Sequence, residues 1–322
     1  MTQYFEVGLR VHIAIKDIDR CEAYAKIQEA ADRLVPEFEF EIVDPLVGTY
    51  TPCPLPSIGA GNNVSYYQTP AHKLVLKPGV KIFCQRMEPA SPGAKVESGC
   101  AIYSGTVRLQ ESVERGVTVG HLFEDVGLEC TLHCNSSSSL ASVGRCCTKI
   151  TFIDLVDSLR KTTADLALLD VFCPADNTIT IDGVTYVLKL CQALPNSVDA
   201  TNVAILSYNG QIRQGQLVST VFTISALGLY NTLSIVDPDN KRSRVNSAGD
   251  SGALVISVPD PNGSREVIIY GMVIGYFESE DGTQSKTVAT RLSDILNYIV
   301  KMSQFTVSPF KLESGYVSVL AC

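Results

Sequence analysis

The tetrapeptide Gly249-Asp250-Ser251-Gly252 is the part of this sequence best suited to chemistry. It closes a polar stretch and runs directly into the apolar segment 253–255, as a turn before a strand does. A serine on such a turn presents its hydroxyl outward, and the neighbouring glycines let backbone N–H groups converge on one point. Acyl transfer needs this combination of a nucleophile and donors for a developing oxyanion. Because Gly-Asp and Ser-Gly pairs are also ordinary turn chemistry, the motif needs partners elsewhere in the chain.

The partner that a serine nucleophile needs first is a base. The sequence holds four histidines, and His121 is our candidate because it ends the strand-like segment 116–121. His12 lies in a predicted strand, His72 lies in a loop, and His133 is next to a cysteine in a turn-rich stretch. A packed or solvated side chain is the alternative interpretation for His121.

A carboxylate must then hold the base in the correct tautomer. Asp165 opens the apolar run 166–169, so we expect its side chain to turn inward with that strand. A buried carboxylate requires a partner. Asp170, which closes the same run, is the competitor, whereas Asp154 and Asp157 lie in a polar stretch and are predicted to be solvated.

The elements that must position these residues are mostly strands. From about residue 95, short Val, Ile and Leu segments recur between turns rich in Gly, Ser, Asn and Asp, which predicts a β-barrel or sandwich. Apolar residues at helical spacing predict a helix after residue 292. Residues 1–94 differ: a β-α-β pattern is followed by a loop rich in Pro and Gly, and we place a domain boundary near residue 94.

Three segments resemble the signatures of trypsin-like, chymotrypsin-fold serine proteases: 117–121, 164–169 and 249–255, in the order His, Asp, Ser. The resemblance covers about residues 95–302. It implies a mainly β fold with two six-stranded antiparallel β-barrels and a C-terminal helix. A small α+β N-terminal domain of unknown function (1–94) would precede this serine protease domain (95–302), and a tail (303–322) would follow it.

The resemblance also implies roles for the candidate residues. His121 would be general base and then general acid, Asp165 would orient it, and Ser251 would attack the scissile carbonyl of a protein or peptide substrate. The N–H groups of Gly249 and Ser251 would form the oxyanion hole. No cofactor and no metal are expected in this serine endopeptidase mechanism.

By the same resemblance, four residues would line the substrate pocket: Val245, Ile274, Tyr276 and Thr287. Val245 replaces the acid that would hold Lys or Arg, so we expect a small or medium uncharged residue before the scissile bond rather than trypsin-like specificity. Ile274 replaces a serine that normally supports the triad carboxylate, and Gly275 replaces a tryptophan.

The resemblance also implies a partner for Asp250, which in secreted members of the family is the amine of an Ile-Val N-terminus freed by activation. This sequence contains no such activation site. We expect Arg242, Arg244 or a backbone donor to take that place. These departures leave an alternative open, in which the chain is a catalytically impaired binding or scaffold module on a protease fold. In either case the N-terminal domain could regulate the site or bind a partner.

Composition restricts the partners further. The formal net charge is −8 and no Lys/Arg run occurs, which argues against nucleic acid. No hydrophobic stretch reaches the length of a membrane span, and the N-terminus does not resemble a signal peptide. We therefore expect a cytoplasmic protein, or a secreted one if a leader has been removed. Asn-x-Ser sequons at Asn63, Asn135 and Asn262 keep secretion open.

The 11 cysteines are an odd number, and without a secretory signal most are expected to be reduced thiols in apolar sites. Zinc is the alternative for a group of four cysteines near His133. These are Cys130, Cys134, Cys146 and Cys147. The adjacent pair at 146 and 147 fits a single tetrahedral site poorly.

Overall fold

Strands dominate the architecture, and an α-helix follows them. The computed structural model describes residues 29, 48–52, 75–87, 95–109, 113–133, 140–157, 160–191, 201–224 and 227–305. The strands are β1 (Gly48–Pro52), β2 (Lys81–Met87), β3 (Lys95–Ile102), β4 (Gly105–Leu109), β5 (Val113–Thr118), β6 (Glu129–His133), β7 (Leu140–Asp157), β8 (Arg160–Val171), β9 (Thr178–Ile181), β10 (Val184–Leu190), β11 (Thr201–Leu206), β12 (Ile212–Ile224), β13 (Leu229–Val236), β14 (Leu254–Ser257), β15 (Glu266–Ser279) and β16 (Ser285–Thr290). The helix is α1 (Leu292–Phe305), and short 3-10 turns lie at Gly120–Leu122 and Tyr208–Gly210.

The first sheet has seven strands in the order β3-β2-β6-β7-β8-β5-β4, and its neighbouring strands are antiparallel. The long β7–β8 hairpin forms its centre. Within β8 the segment 162–169 is buried without interruption, which explains why residues 166–169 form a continuous apolar run rather than an alternating one.

The second sheet closes on itself. Strand β14 pairs with both β11 and β15, so β14-β11-β12-β13-β16-β15 forms a six-stranded antiparallel barrel. Closure leaves no free edge where β14 pairs with β15, and β15 extends beyond this pairing to Ser279. Its interior is filled by β-branched and other aliphatic side chains, among them Val203, Ile205, Leu217, Leu233, Ile235, Val255, Val273 and Ala289. The β9–β10 hairpin joins β15 in parallel, and β1 joins β15 antiparallel at its other end.

The two sheets share one apolar core, and the candidate residues lie where they meet. The larger core cluster contains Leu166 from β8, Leu254 from β14 and Ile295 from α1. Hydrogen bonds also cross between the sheets: the Ile102 N–H donates to the Ser251 carbonyl at 2.7 Å. The Ser251 turn is thus bonded directly to β3 of the first sheet.

The mainly β fold with a C-terminal helix, expected from the sequence, is confirmed. Two details differ. The first sheet has seven strands whose outer members, β3 and β4, do not pair within the described part of the chain, so the expected count of six holds for the second barrel alone. In addition, β2 pairs with β3 along its length, so this sheet begins before the boundary placed near residue 94. The β-α-β pattern at the N-terminus and the tail after residue 305 lie outside the described residues.

Seven cysteines fall within the described ranges, and four of them are free thiols: Cys130, Cys146, Cys147 and Cys173. Burial raises the pKa of Cys130 to about 12, and nearby Cys84 and Cys146 add to this rise. Burial also raises the pKa of the Cys146 thiol to about 12. Where the structure is described, no group of three or more His, Cys, Asp or Glu could hold a metal ion. Among these residues, too, no helix has the length and apolar character that a membrane crossing requires.

Candidate active site

His121 is positioned by a tight turn at the end of β5. The 3-10 turn Gly120–Leu122 follows the strand directly, and the histidine side chain is only 10% exposed. A Cβ atom on Gly120 would come within 2.2 Å of the Ile150 carbonyl oxygen and 3.0 Å of the Asp165 Oδ1 atom. Only glycine therefore lets this turn pack so closely against the β7–β8 hairpin.

Asp165 is fully buried in β8 and holds both the backbone and the ring of His121. Its Oδ1 atom accepts the His121 backbone N–H at 2.9 Å, and its Oδ2 atom faces the ring Nδ1 atom in a second, short hydrogen bond. A carboxylate beside Nδ1 requires the proton on that nitrogen, so Nε2 is left as an acceptor in the neutral ring. As expected from the sequence, the Asp165 side chain points into the interior.

Ser251 lies on the other side of the His121 ring from Asp165. Its Oγ atom lies 3.0 Å from the His121 Nε2 atom, and the residue is almost completely buried. The structure thus brings together the three side chains that the sequence singled out. The competing carboxylate, Asp170, lies elsewhere: it pairs with Arg115 and is 44% exposed.

The turn that carries Ser251 depends on two glycines. Gly249 and Gly252 have φ values of 85° and 88°, in the left-handed region that side chains disfavour. A Cβ atom on Gly252 would lie 2.2 Å from the Ile102 carbonyl oxygen. Within the described part of the chain, the N–H groups of Gly249 and Ser251 have no acceptor. Both donors therefore remain available to an oxygen atom of a ligand.

The carboxylate of Asp250 accepts hydrogen bonds from three groups. Its Oδ2 atom accepts hydrogen bonds from the Arg213 guanidinium at 2.7 Å and the Ser247 N–H at 2.6 Å, while Ser207 donates to Oδ1. The backbone donor was expected, but the choice of Arg242 or Arg244 was wrong. Among the described residues, neither of those two side chains bonds to this carboxylate.

Sequence reasoning missed Arg213 and Ser207. Ser207 follows β11 and Arg213 lies in β12, so the β11–β12 hairpin delivers both to Asp250. Arg213 also bonds to the Ser247 hydroxyl at 2.7 Å. Neither residue belongs to a local motif, so only knowledge of the strand pairing could have identified them.

Three of the four predicted pocket residues, Val245, Tyr276 and Thr287, lie near one another. Thr287 pairs with Tyr276 across β15 and β16, and its hydroxyl accepts the Val245 N–H at 2.9 Å. The same hydroxyl donates to the Asn246 side chain at 2.7 Å. The Ile274 side chain packs into the apolar core instead, so only its backbone faces the strand edge.

Arg244 lies beside this group. Its guanidinium carbon is 3.5 Å from the centre of the Tyr276 ring, in the stacked position of a cation–π contact. This contact gives Arg244 a partner other than Asp250.

Comparisons with known proteins give structural matches only. No protein-family model matches the chain, and no curated protein matches it. Solved structures similar to it include a glutamic acid specific serine protease, with 14% identity, TM-score 0.42, and coverage of 70% of this chain and 97% of the other. Thermobifida fusca protease A has 12% identity, TM-score 0.43, and coverage of 70% and 96%. Cellulomonas bogoriensis chymotrypsin has 12% identity, TM-score 0.44, and coverage of 70% and 96%. The mainly β fold of this chain, with its closed barrel and C-terminal helix, rests on the strand order given above.

Proposed function

We propose that this protein is a serine endopeptidase that cleaves peptide bonds through an acyl-enzyme. One observation carries the proposal: the Ser251 hydroxyl is 3.0 Å from the Nε2 atom of His121, whose other ring nitrogen bonds to buried Asp165. A nucleophile, a base and an orienting group within hydrogen-bond reach form the arrangement that acyl transfer requires.

In the first half of the reaction, the Ser251 Oγ atom attacks the substrate carbonyl carbon while its proton passes to the His121 Nε2 atom. The carbonyl π electrons move to oxygen, and the N–H groups of Gly249 and Ser251 donate to this oxyanion. Asp165 stabilises the imidazolium that forms. The oxyanion then collapses, the C–N bond breaks, and His121 gives its proton to the leaving amine.

In the second half, water replaces the amine. His121 removes a proton from this water as its oxygen attacks the acyl carbon, and the oxyanion forms again at the same donors. The C–Oγ bond then breaks, and the proton on His121 returns to Oγ. The acid product leaves and the site is restored, so no cofactor enters the balance.

The residue before the scissile bond is proposed to be small or medium and uncharged. Val245 is partly buried against the barrel core and carries no carboxylate, so Lys and Arg lack a counter-charge there. The Thr287 hydroxyl already accepts two backbone N–H groups, from Val245 and Asn246, and donates to the Asn246 side chain. It therefore has little capacity left for a polar ligand group.

A peptide library separates this function from the alternative of a binding module. Wild-type protein is incubated with the library, and new N-termini are identified by mass spectrometry, with Ser251→Ala as the control. We expect cleavage after small or medium uncharged residues, absent from the control. A folded wild-type protein that binds library peptides but generates no Ser251-dependent N-termini would favour the binding module.

A further inference from the structure

One edge of β15 leads directly to Ser251. Strand β14 covers the first part of this edge, and its pairing ends where the Val273 N–H bonds to the Ala253 carbonyl at 2.8 Å and the Gly252 N–H bonds to the Val273 carbonyl at 2.9 Å. Beyond Val273 the edge continues past the Ser251 turn. Extended peptides bind to such edges by adding a strand, with main-chain hydrogen bonds supplying affinity.

This part of the edge is already occupied by the chain itself. Strand β1 pairs with residues 275–279 of β15, while β16 occupies the opposite side of the same residues. The register runs from Gly48 opposite Ser279 to Pro52 opposite Gly275. The C-terminal end of β1 is therefore the end nearer Ile274 and the Ser251 turn, as in a peptide that enters antiparallel to β15.

Tyr50 fastens β1 to the edge. Its hydroxyl donates to the Ile274 carbonyl at 3.3 Å. A Cβ atom on Gly275 would lie 2.8 Å from the Tyr50 ring and 2.5 Å from the Thr51 carbonyl oxygen. The glycine at 275 thus provides the space into which Tyr50 and the β1 backbone fit, and any side chain there would displace the strand.

We propose that β1 is an intramolecular pseudosubstrate, an uncharged extended segment that holds the peptide-binding edge of β15 and excludes longer peptides until it leaves. The inference rests on the proposed function for its catalytic consequence. The sequence of β1, Gly-Thr-Tyr-Thr-Pro, carries no charge, which agrees with a site for uncharged peptides. Small electrophiles that do not use the edge reach Ser251 whether β1 is bound or not.

Because β1 occupies the edge, an extended ligand should bind with a measurably lower affinity. The apparent dissociation constant equals the intrinsic constant divided by the fraction of molecules in which the edge is open. A strand bound in about nine molecules of ten weakens an extended ligand about tenfold. Removing the Tyr50 ring should recover this factor for extended ligands and leave small ones unaffected.

The test compares two labelling reagents on the full-length protein. Diisopropyl fluorophosphate reacts without using the strand edge, whereas a tri-alanine diphenyl phosphonate must add along it. We expect Tyr50→Ala to raise the labelling rate of the peptidyl reagent about tenfold or more and to leave that of the small reagent within about twofold. Tyr50→Phe, which keeps the ring and loses the hydroxyl, is the matched control and should give a smaller rise.

A binding measurement makes the result independent of catalysis. A fluorescent tri-alanine peptide is titrated, by anisotropy, into Ser251→Ala and into Ser251→Ala/Tyr50→Ala. Tighter binding to the double variant by a similar factor supports the pseudosubstrate. Equal binding to both, or equal labelling by the peptidyl reagent in wild type and Tyr50→Ala, overturns it. A wild type that resists diisopropyl fluorophosphate although the binding shift holds contradicts the proposed peptidase activity, not the occupied edge.

Discussion

At the scale of single residues, burial and hydrogen bonds restrict the conformations that the side chains of the candidate site can adopt. Asp165 is buried and accepts two hydrogen bonds from His121, so the ring can rotate only by breaking its own bond to the carboxylate. With Ile274 in place of a hydroxyl donor, these are the hydrogen bonds that the described residues offer to this carboxylate. The orientation of the His121 ring therefore depends directly on the Asp165 carboxylate.

Replacing Asp165 by Asn should leave the fold intact and remove the tautomer control. An amide donates to Nδ1 and drives the ring proton to Nε2, where it faces Ser251 and blocks proton transfer. We expect kcat to fall by about 10³–10⁴-fold, the size of effect seen when other Ser-His-Asp triads are changed in this way. Turnover of a peptide substrate identified from the library measures this loss, with thermal melting as the check on folding. A loss below about tenfold would contradict the assigned role.

Arg213 should act as a positioning residue through Asp250. Arg213→Leu leaves a buried carboxylate without its counter-charge, and the Gly249–Ser251 donors then lose their support. Because Arg213 is 33% exposed, we expect the free energy of unfolding to fall by only about 2–3 kcal/mol, less than for a fully buried pair. In kinetics, kcat should fall while KM changes little, since the oxyanion is bound in the transition state alone.

The control for this variant is Arg242→Leu, because Arg242 is exposed and its side chain does not bond to Asp250. Parallel urea unfolding and kinetics on both variants give the comparison. Equal behaviour of the two would show that Arg213 does not support the oxyanion donors.

At the scale of elements, several strands and the C-terminal helix can be predicted from the sequence because their signals lie within short segments. The apolar run after Asp165 and the turn before Leu254 identify β8 and β14, and helical spacing identifies α1. Pairings between distant segments are not local. No sequence motif predicts the hydrogen bond between Arg213 and Asp250 or the pairing of β1 with β15. The same limit explains why the first sheet begins before the expected boundary, since β2 joins β3 across a Pro-rich stretch.

The Ser251 turn gives the sharpest test at this scale. Gly252→Ala adds a Cβ atom 2.2 Å from the Ile102 carbonyl oxygen at a φ of 88°. Gly183 has a similar φ of 80°, but a Cβ atom added there would meet nothing within 4 Å among the described residues, so Gly183→Ala isolates the backbone strain. We expect Gly183→Ala to cost about 1 kcal/mol and Gly252→Ala to cost at least about 3 kcal/mol. Chemical unfolding compares them, and equal losses would mean that the close approach to β3 is absent.

At the scale of the whole molecule, the core that joins the two sheets also contains ionisable thiols. Cys130 and Cys146 both belong to the larger apolar cluster. Burial raises the pKa of each to about 12 from an ordinary value of 9.0. Since the folded state keeps these protons more tightly than the unfolded chain does, the thiols favour folding fully below pH 9, and this contribution is lost as the pH rises towards 12.

We therefore expect the free energy of unfolding to decline between about pH 9 and pH 11, by at most about 1.4 kcal/mol per pH unit for each thiol. Cys130→Ala lowers stability at neutral pH through the lost side-chain volume but should make the decline shallower. Urea unfolding at several pH values under reducing conditions measures both slopes. Identical slopes for wild type and Cys130→Ala would contradict the burial of this thiol.

The most direct test of the central claim is covalent labelling of the full-length protein with a fluorophosphonate, followed by intact mass and peptide mapping. The Ser251 oxygen displaces fluoride from phosphorus only if His121 removes its proton. We predict a single adduct on Ser251, absent from Ser251→Ala and at least about 10³-fold slower in His121→Ala. A folded wild-type protein that takes no adduct, or takes it at another residue, would contradict the proposed triad.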